Sequence, residues 1–186
     1  MTLRIVGFSG STRRPSRTRS LVEAVAQSLS ARRSVSFDLY DLVDAGPGVG
    51  AFSREALPAE ARAIVAAIEE ADALVVGSPV YKGSYTGLFK HVIDFVDPLA
   101  LAGKPVVVTA TGGGHRHALV VEHQLRPLFG FFAAQTAPTA IYASDHDFTD
   151  GLLADSAVRA RVAQAAAELD RLLPRSALRP ATIKVA

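Results

Sequence analysis

Leu3-Arg4-Ile5-Val6-Gly7-Phe8 runs straight into Ser9-Gly10-Ser11-Thr12-Arg13-Arg14-Pro15-Ser16-Arg17-Thr18, and these residues decide the fold. The first six form a short, nearly continuous apolar run, as expected of a strand buried on both faces. The next ten carry five hydroxyls and three arginines. Beyond them Leu21, Val22, Val25 and Leu29 recur at helical spacing. A strand, a polar loop and a helix in that order open a βαβ unit.

The alternation continues down the chain. Val35, Phe37 and Leu39 alternate with polar residues and predict a strand. Residues 44–58 hold Gly46, Pro47, Gly48, Gly50 and Pro58 and read as a long loop. A helix is predicted over 59–71, with Ile64, Val65 and Ile68 on one side, and a second buried strand over 73–77. Leu88, His91, Val92 and Phe95 fall at i, i+3, i+4 and i+7 in a helix predicted over 87–96. A strand at 105–109, a mostly apolar helix at 115–134, a short strand at 139–142 and a long helix at 152–173 complete the pattern. Strict strand–helix alternation implies a parallel sheet covered on both faces. The expected fold class is α/β, a flavodoxin-like three-layer sandwich with a five-stranded sheet in the order 2-1-3-4-5. One domain is expected over 1–186, with a basic tail at 174–186.

Composition narrows the function. Of 186 residues, 49% are hydrophobic and 20% charged, a normal globular mix. Twenty Lys and Arg against 18 Asp and Glu leave a net charge of +2, too little to point to nucleic acid. The absence of cysteine excludes disulfides, thiolate-held metals and a cysteine nucleophile. No apolar run approaches the roughly 18 residues that span a membrane. Leu3 to Phe8 is too short for a signal-peptide core and is interrupted by Arg4. A cytoplasmic protein without a nucleic-acid or membrane partner is expected. His115 and His117 lack an accompanying carboxylate–histidine set, so no metal site is expected. No G-x-S-x-G elbow is present.

In an open parallel sheet, ligands bind beyond the carboxyl ends of the strands at the switch point. Here that edge carries the loops 9–18, 78–86 and 111–116. Hydroxyls, arginines and backbone N–H groups at a helix N-terminus make the first loop an anion site. It matches neither G-x-G-x-x-G nor the P-loop pattern, so it reads as a phosphate site of another kind. The blander reading, a solvated loop with a Ser or Thr helix cap, is weakened by its place after strand one. Ser78-Pro79-Val80-Tyr81-Lys82-Gly83-Ser84-Tyr85 sets backbone polar groups beside two aromatics, suiting a flat heterocycle. Thr111-Gly112-Gly113-Gly114 lets backbone approach a ligand edge. Each of these two, taken alone, reads equally as a surface turn.

Gly10-Ser11-x-Arg13-x-x-Ser16-x-Thr18, Gly77-Ser78-Pro79-Val80-Tyr81-Lys82-Gly83-Ser84 and Ala110-Thr111-Gly112-Gly113 together resemble the motifs of the NAD(P)H-dependent FMN reductases. The resemblance covers about residues 3–173 and is closest to the sulfonate-utilisation type. It implies FMN and NAD(P)H as cofactors. It places Ser9, Ser11, Arg13, Ser16, Arg17 and Thr18 around the FMN phosphate. Pro79, Val80, Tyr81 and Ser84 would line one side of the isoalloxazine, and Thr111, Gly112, Gly113 and Gly114 its other edge. Lys82 would meet the incoming nicotinamide nucleotide. A flavin-dependent monooxygenase would receive the reduced FMN, and a homodimer or homotetramer is implied. No catalytic acid or base is expected, since the cofactor carries hydride transfer.

Pro127 lies inside the helical pattern of 115–134 and cannot donate to the carbonyl of His123. A π-bulge at His123 and a simple proline kink with His123 on a packed face both absorb this. The resemblance favours the bulge, since sulfonate-type reductases carry a π-helix here at the subunit interface. Phe129, Phe131 and Phe132 read as either core or subunit contact.

The leading reading is an NAD(P)H-dependent FMN reductase that supplies reduced flavin. The alternative on the same fold keeps FMN bound and reduces a quinone or azo compound. An electron-carrier flavodoxin fits less well, because such proteins are strongly acidic and often use Trp, which is absent here.

Overall fold

The computed structural model describes residues 2–174, so the basic tail from Arg175 lies outside the described residues. β1 (Leu3–Ser9) forms the centre of the sheet. It pairs in parallel with β2 (Val35–Asp41) on one side and β3 (Ala73–Pro79) on the other. β4 (Pro105–Gly112) follows β3, and its far edge carries the fifth position. The order 2-1-3-4-5 expected from the sequence is the order observed.

Neighbouring residues along each inner strand serve opposite layers, which is why these runs are apolar without alternation. Val6, Phe8, Leu74, Val76, Val106 and Val108 pack under α3 (Ala59–Glu70) and α4 (Gly87–Asp94). Ile5, Val75 and Val107 face α1 (Arg17–Ser30) and α6 (Ser156–Leu172). Gly77 is required by this packing. A Cβ there would lie 2.7 Å from Thr109 Oγ1 and from Val22 Cγ2.

The fifth strand is split, unlike the single run expected at 139–142. β5 (Gln135–Thr136) pairs with Pro105 and Val106, and β6 (Ile141–Ser144) pairs with Thr109 to Gly112. Pro138 has no N–H to give the ladder, and the chain bulges between the two pieces. Side chains satisfy the bulge. Arg126 donates to Thr136 Oγ1 and to the carbonyls of Ala137 and Pro138, and Arg161 donates to Ala140 O. Buried Glu168 accepts from Thr139 N at 2.6 Å and from its Oγ1 at 2.9 Å.

Four other expectations need correction. The stretch 44–58 is not all loop: a capped turn α2 (Leu42–Ala45) runs into it, and a 3-10 turn (Pro47–Gly50) follows. Arg54 ties the rest down with two 2.6 Å bonds to Glu69 and one to Phe95 O. In α4 the buried face is Phe89, Val92 and Ile93, one position round from that predicted, because Phe89 stacks on Phe8 at 5.5 Å; Leu88 is left exposed. The helix expected at 115–134 is broken into a 3-10 turn (His115–His117), a π turn (Val121–Leu125) and α5 (Arg126–Phe131). Of its aromatics, Phe129 and Phe132 are core and Phe131 is exposed. The last helix starts at Ser156, capped by Asp155, because Leu152 and Leu153 form β8 (Leu152–Leu153) of a hairpin with β7 (Phe148–Thr149).

Candidate functional site

A cleft of about 470 Å³ opens at the carboxyl edge of β1, β3 and β4. The sheet order puts the switch point there, since the chain leaves β1 for β2 on one side and returns to β3 on the other. Gly10 N extends the β1 ladder to Gly77 O at 2.7 Å. From that point the chain turns over the N-terminus of α1. Ser11 Oγ donates to Arg13 O at 3.0 Å, and Ser16 caps the helix by accepting from Arg19 N at 3.2 Å. No acidic residue occupies the first turn of α1, so its positive end is uncompensated from within the helix.

The arginines of this loop, alike in sequence, are held quite differently. Arg14 forks onto fully buried Asp41 at 2.7 and 2.8 Å and reaches Asp44 at 2.6 Å. These bonds hold Arg14 above its ordinary pKa. Burial pushes the Asp44 carboxyl up, but the hydrogen bonds from Arg14 and from Asp41 backbone outweigh it and leave it below the usual range. Arg19 adds a 3.0 Å bond to Asp41. Arg17 pairs at 3.1 Å with Asp145, just beyond β6. Arg13 is exposed and makes no ion pair among the described residues.

The second wall follows β3. Val80 N donates to Thr111 O at 2.8 Å. Tyr81 and Ser84 then exchange backbone bonds around Lys82 and Gly83, both at positive φ, which makes a tight primed turn. Ser84 Oγ donates to Gln124 Oε1 of the π turn at 3.1 Å. Thr86 caps α4 and donates to Gly10 O, tying this wall to the first loop. Across the floor, Thr18 and Thr111 share a hydroxyl–hydroxyl bond of 2.6 Å. Tyr142 OH donates to Gly114 O, and a Cβ on Gly112 would run into that hydroxyl. Burial first, then the Asp145 and Asp147 charges, push the Tyr142 phenol above its ordinary pKa.

Ser11, Arg13, Ser16, Arg17, Thr18, Pro79, Val80, Tyr81, Thr111, Gly112 and Gly113 therefore converge on one cleft. Ser9, Lys82, Ser84 and Gly114 do not line it. Ser9 lies beneath, fully buried at the end of β1. Lys82 is at the turn tip, Ser84 faces the π turn and Gly114 receives Tyr142. The cleft also includes Asp145, Asp150 and Gly151, which the sequence motifs do not single out. Asp150-Gly151 between Phe148-Thr149 and Leu152-Leu153 is a hairpin signal, and both residues take positive φ. The π reading at His123 is the one observed, and the side chain is exposed.

Fold and cleft together define a protein of the flavodoxin-like α/β class with an open cleft at its switch point. Comparison with known proteins makes this specific. Residues 3–149 match the NADPH-dependent FMN reductase family. The NADH-dependent FMN reductase SfnF of Pseudomonas fluorescens (strain Pf0-1) is 48% identical over 165 residues, covering 88% of each chain. The FMN reductase (NADPH) of Pseudomonas aeruginosa PAO1 is 43% identical, with 98% of this chain and 97% of that one aligned. The solved structure of an oxidoreductase from Corynebacterium diphtheriae superposes with a TM-score of 0.79 at 35% identity, covering 92% of this chain and 97% of that one. The chain belongs to the NADPH-dependent FMN reductase family and is an oxidoreductase acting on FMN with NAD(P)H.

The residues present fit that nucleotide. Ser9 Oγ is a buried hydroxyl with no hydrogen-bond partner among the described residues, at the base of the anion-ready loop. The cleft volume lies in the range of small-molecule sites.

Proposed function

We propose that the cleft takes FMN with its phosphate at the N-terminus of α1 and its ring between the β3 and β4 loops. The observation that carries this reading is Arg13, an exposed guanidinium that makes no ion pair among the described residues, beside a helix N-terminus and the hydroxyls of Ser11 and Ser16. Arg13, Ser11 and Ser16 hold the phosphate, supported by Ser9, Arg17 and Thr18. Pro79, Val80 and Tyr81 bound one side of the ring and Thr111, Gly112 and Gly113 its other edge, while Ser84 and Gly114 stand outside the cleft. Lys82, raised on its turn, meets the incoming nucleotide. FMN, when bound, supplies the hydride-accepting chemistry. The protein's part is to fix the phosphate, present the ring and leave one face open for the nicotinamide.

Reduced FMN then leaves for a flavin-dependent monooxygenase of the sulfonate-utilisation type. The assembly is a homodimer or homotetramer in the cytoplasm, and the whole chain acts as one FMN-binding domain. Anaerobic mixing with excess FMN and either NADH or NADPH tests the release step. Multiple-turnover bleaching of free FMN is expected. Reduction of a single bound equivalent would transfer the case to a quinone or azo reductase.

A further inference from the structure

Asp145 lines the same cleft as the N-terminus of α1. It is the first residue after β6, on a turn fixed by Asp147, which accepts from Ser144 N at 2.6 Å and from Ser144 Oγ at 2.9 Å. From there it pairs at 3.1 Å with Arg17, the first residue of α1. Both side chains line the cleft, and Asp150 of the hairpin turn lines it too. The first turn of α1 has no acid of its own, so the charge compensating this helix end comes from across the cleft.

We propose that Asp145 sets the affinity for FMN by competing with its phosphate for Arg17, and so favours release of the flavin after reduction. The proposal rests on the assignment of the phosphate to the α1 N-terminus. An entering phosphate dianion takes Arg17 from Asp145 and then lies close to two carboxylates, Asp145 and Asp150. Both the lost pair and the like-charge approach subtract from the gain at Arg13 and the helix end. Riboflavin, with the same ring and no phosphate, leaves the Arg17–Asp145 pair in place. The residue therefore acts on the phosphate alone, which distinguishes it from a general packing residue of the cleft wall.

The test compares FMN and riboflavin binding to the full-length protein by fluorescence quenching, with dissociation rates by stopped flow. Asp145→Asn is expected to tighten FMN about two- to tenfold, mostly through slower dissociation, and to leave riboflavin unchanged. In an Arg17→Ala background the same substitution is expected to gain less, because the competition for Arg17 is gone. Asp145→Ser gives a second reading if Asn disturbs the turn. Unchanged or weaker FMN binding in both variants would overturn the proposal, as would equal tightening of riboflavin. If wild-type protein bound riboflavin as tightly as FMN, the phosphate assignment itself would fall, a result separable from any effect at Asp145.

Discussion

Arg13→Ala is expected to weaken FMN binding with almost no effect on the fold. The guanidinium is exposed and makes no ion pair among the described residues, so its removal strands no partner. One charge-assisted bond to phosphate contributes about 1.5–3 kcal/mol. At 1.4 kcal/mol per tenfold, that is a loss of about 10- to 150-fold in affinity. Exposure of Arg13 places the value toward the low end. Arg14→Ala provides the contrast. It takes the forked bond from fully buried Asp41, leaving that carboxylate to Arg19 and two backbone N–H groups. Its expected signature is a stability loss of about 1–3 kcal/mol, with FMN affinity following only as the loop loosens. FMN and riboflavin titrations with a thermal melt on each variant separate the two. Unchanged FMN affinity in Arg13→Ala, or an equal loss for riboflavin, would refute the assignment.

Other substitutions probe the supports of the cleft. Deleting His123 removes the extra residue of the π turn and rotates the flanking segments by about 100°. Gln124 then leaves Ser84, and faster FMN dissociation or altered assembly is expected by stopped flow and size-exclusion chromatography. Gly77→Ala puts a methyl group against Thr109, Val22 and Thr18, and a loss of about 1–3 kcal/mol is expected in denaturant unfolding. Glu168 is pushed up by burial, but its bonds from Thr139 and Gln164 leave it below the usual carboxylate range. A carboxylate lowered in the folded state contributes stability above its unfolded pKa and loses it as pH falls through the folded value. Glu168→Gln is therefore expected to flatten the acid side of a melting-temperature profile below about pH 4.5; an unchanged acid slope would count against this.

The inner sheet was legible because burial on both faces writes itself as continuous apolar runs. Three of the strands so predicted, at 3–8, 73–77 and 105–109, are β1, β3 and β4. The edge was less legible. The split of the fifth strand is stabilised by Arg126, Arg161 and Glu168, which lie on helices before and after it, and no local pattern reports such partners. The hairpin of β7 and β8 did have a local signal in Asp150-Gly151, which the apolar spacing of the following helix obscured. Pro127 led to the distortion at His123 because proline acts on backbone a fixed distance away, a local rule. The face of α4 was misplaced by one position because Phe8, distant in sequence, selects Phe89.

The three arginines of the first loop show where such reading stops. Arg13, Arg14 and Arg17 have the same chemistry and nearly the same address. Their different roles come from carboxylates supplied by two other parts of the fold. Asp41 and Asp44, at the end of β2 and in α2, take Arg14 and fix the loop to the sheet. Asp145, at the end of β6, takes Arg17 from the opposite side. Arg13 makes no ion pair among the described residues, which leaves its guanidinium open to an anion. β2 and β6 lie toward opposite edges of the sheet, so the parallel order that brings their carboxyl ends to one side also distributes the charges of the loop. A loop rich in arginine is thereby divided into an anchored guanidinium, an unpaired one and one held by Asp145. If the loop takes the FMN phosphate as proposed, that division suits a site that binds it and also lets it go.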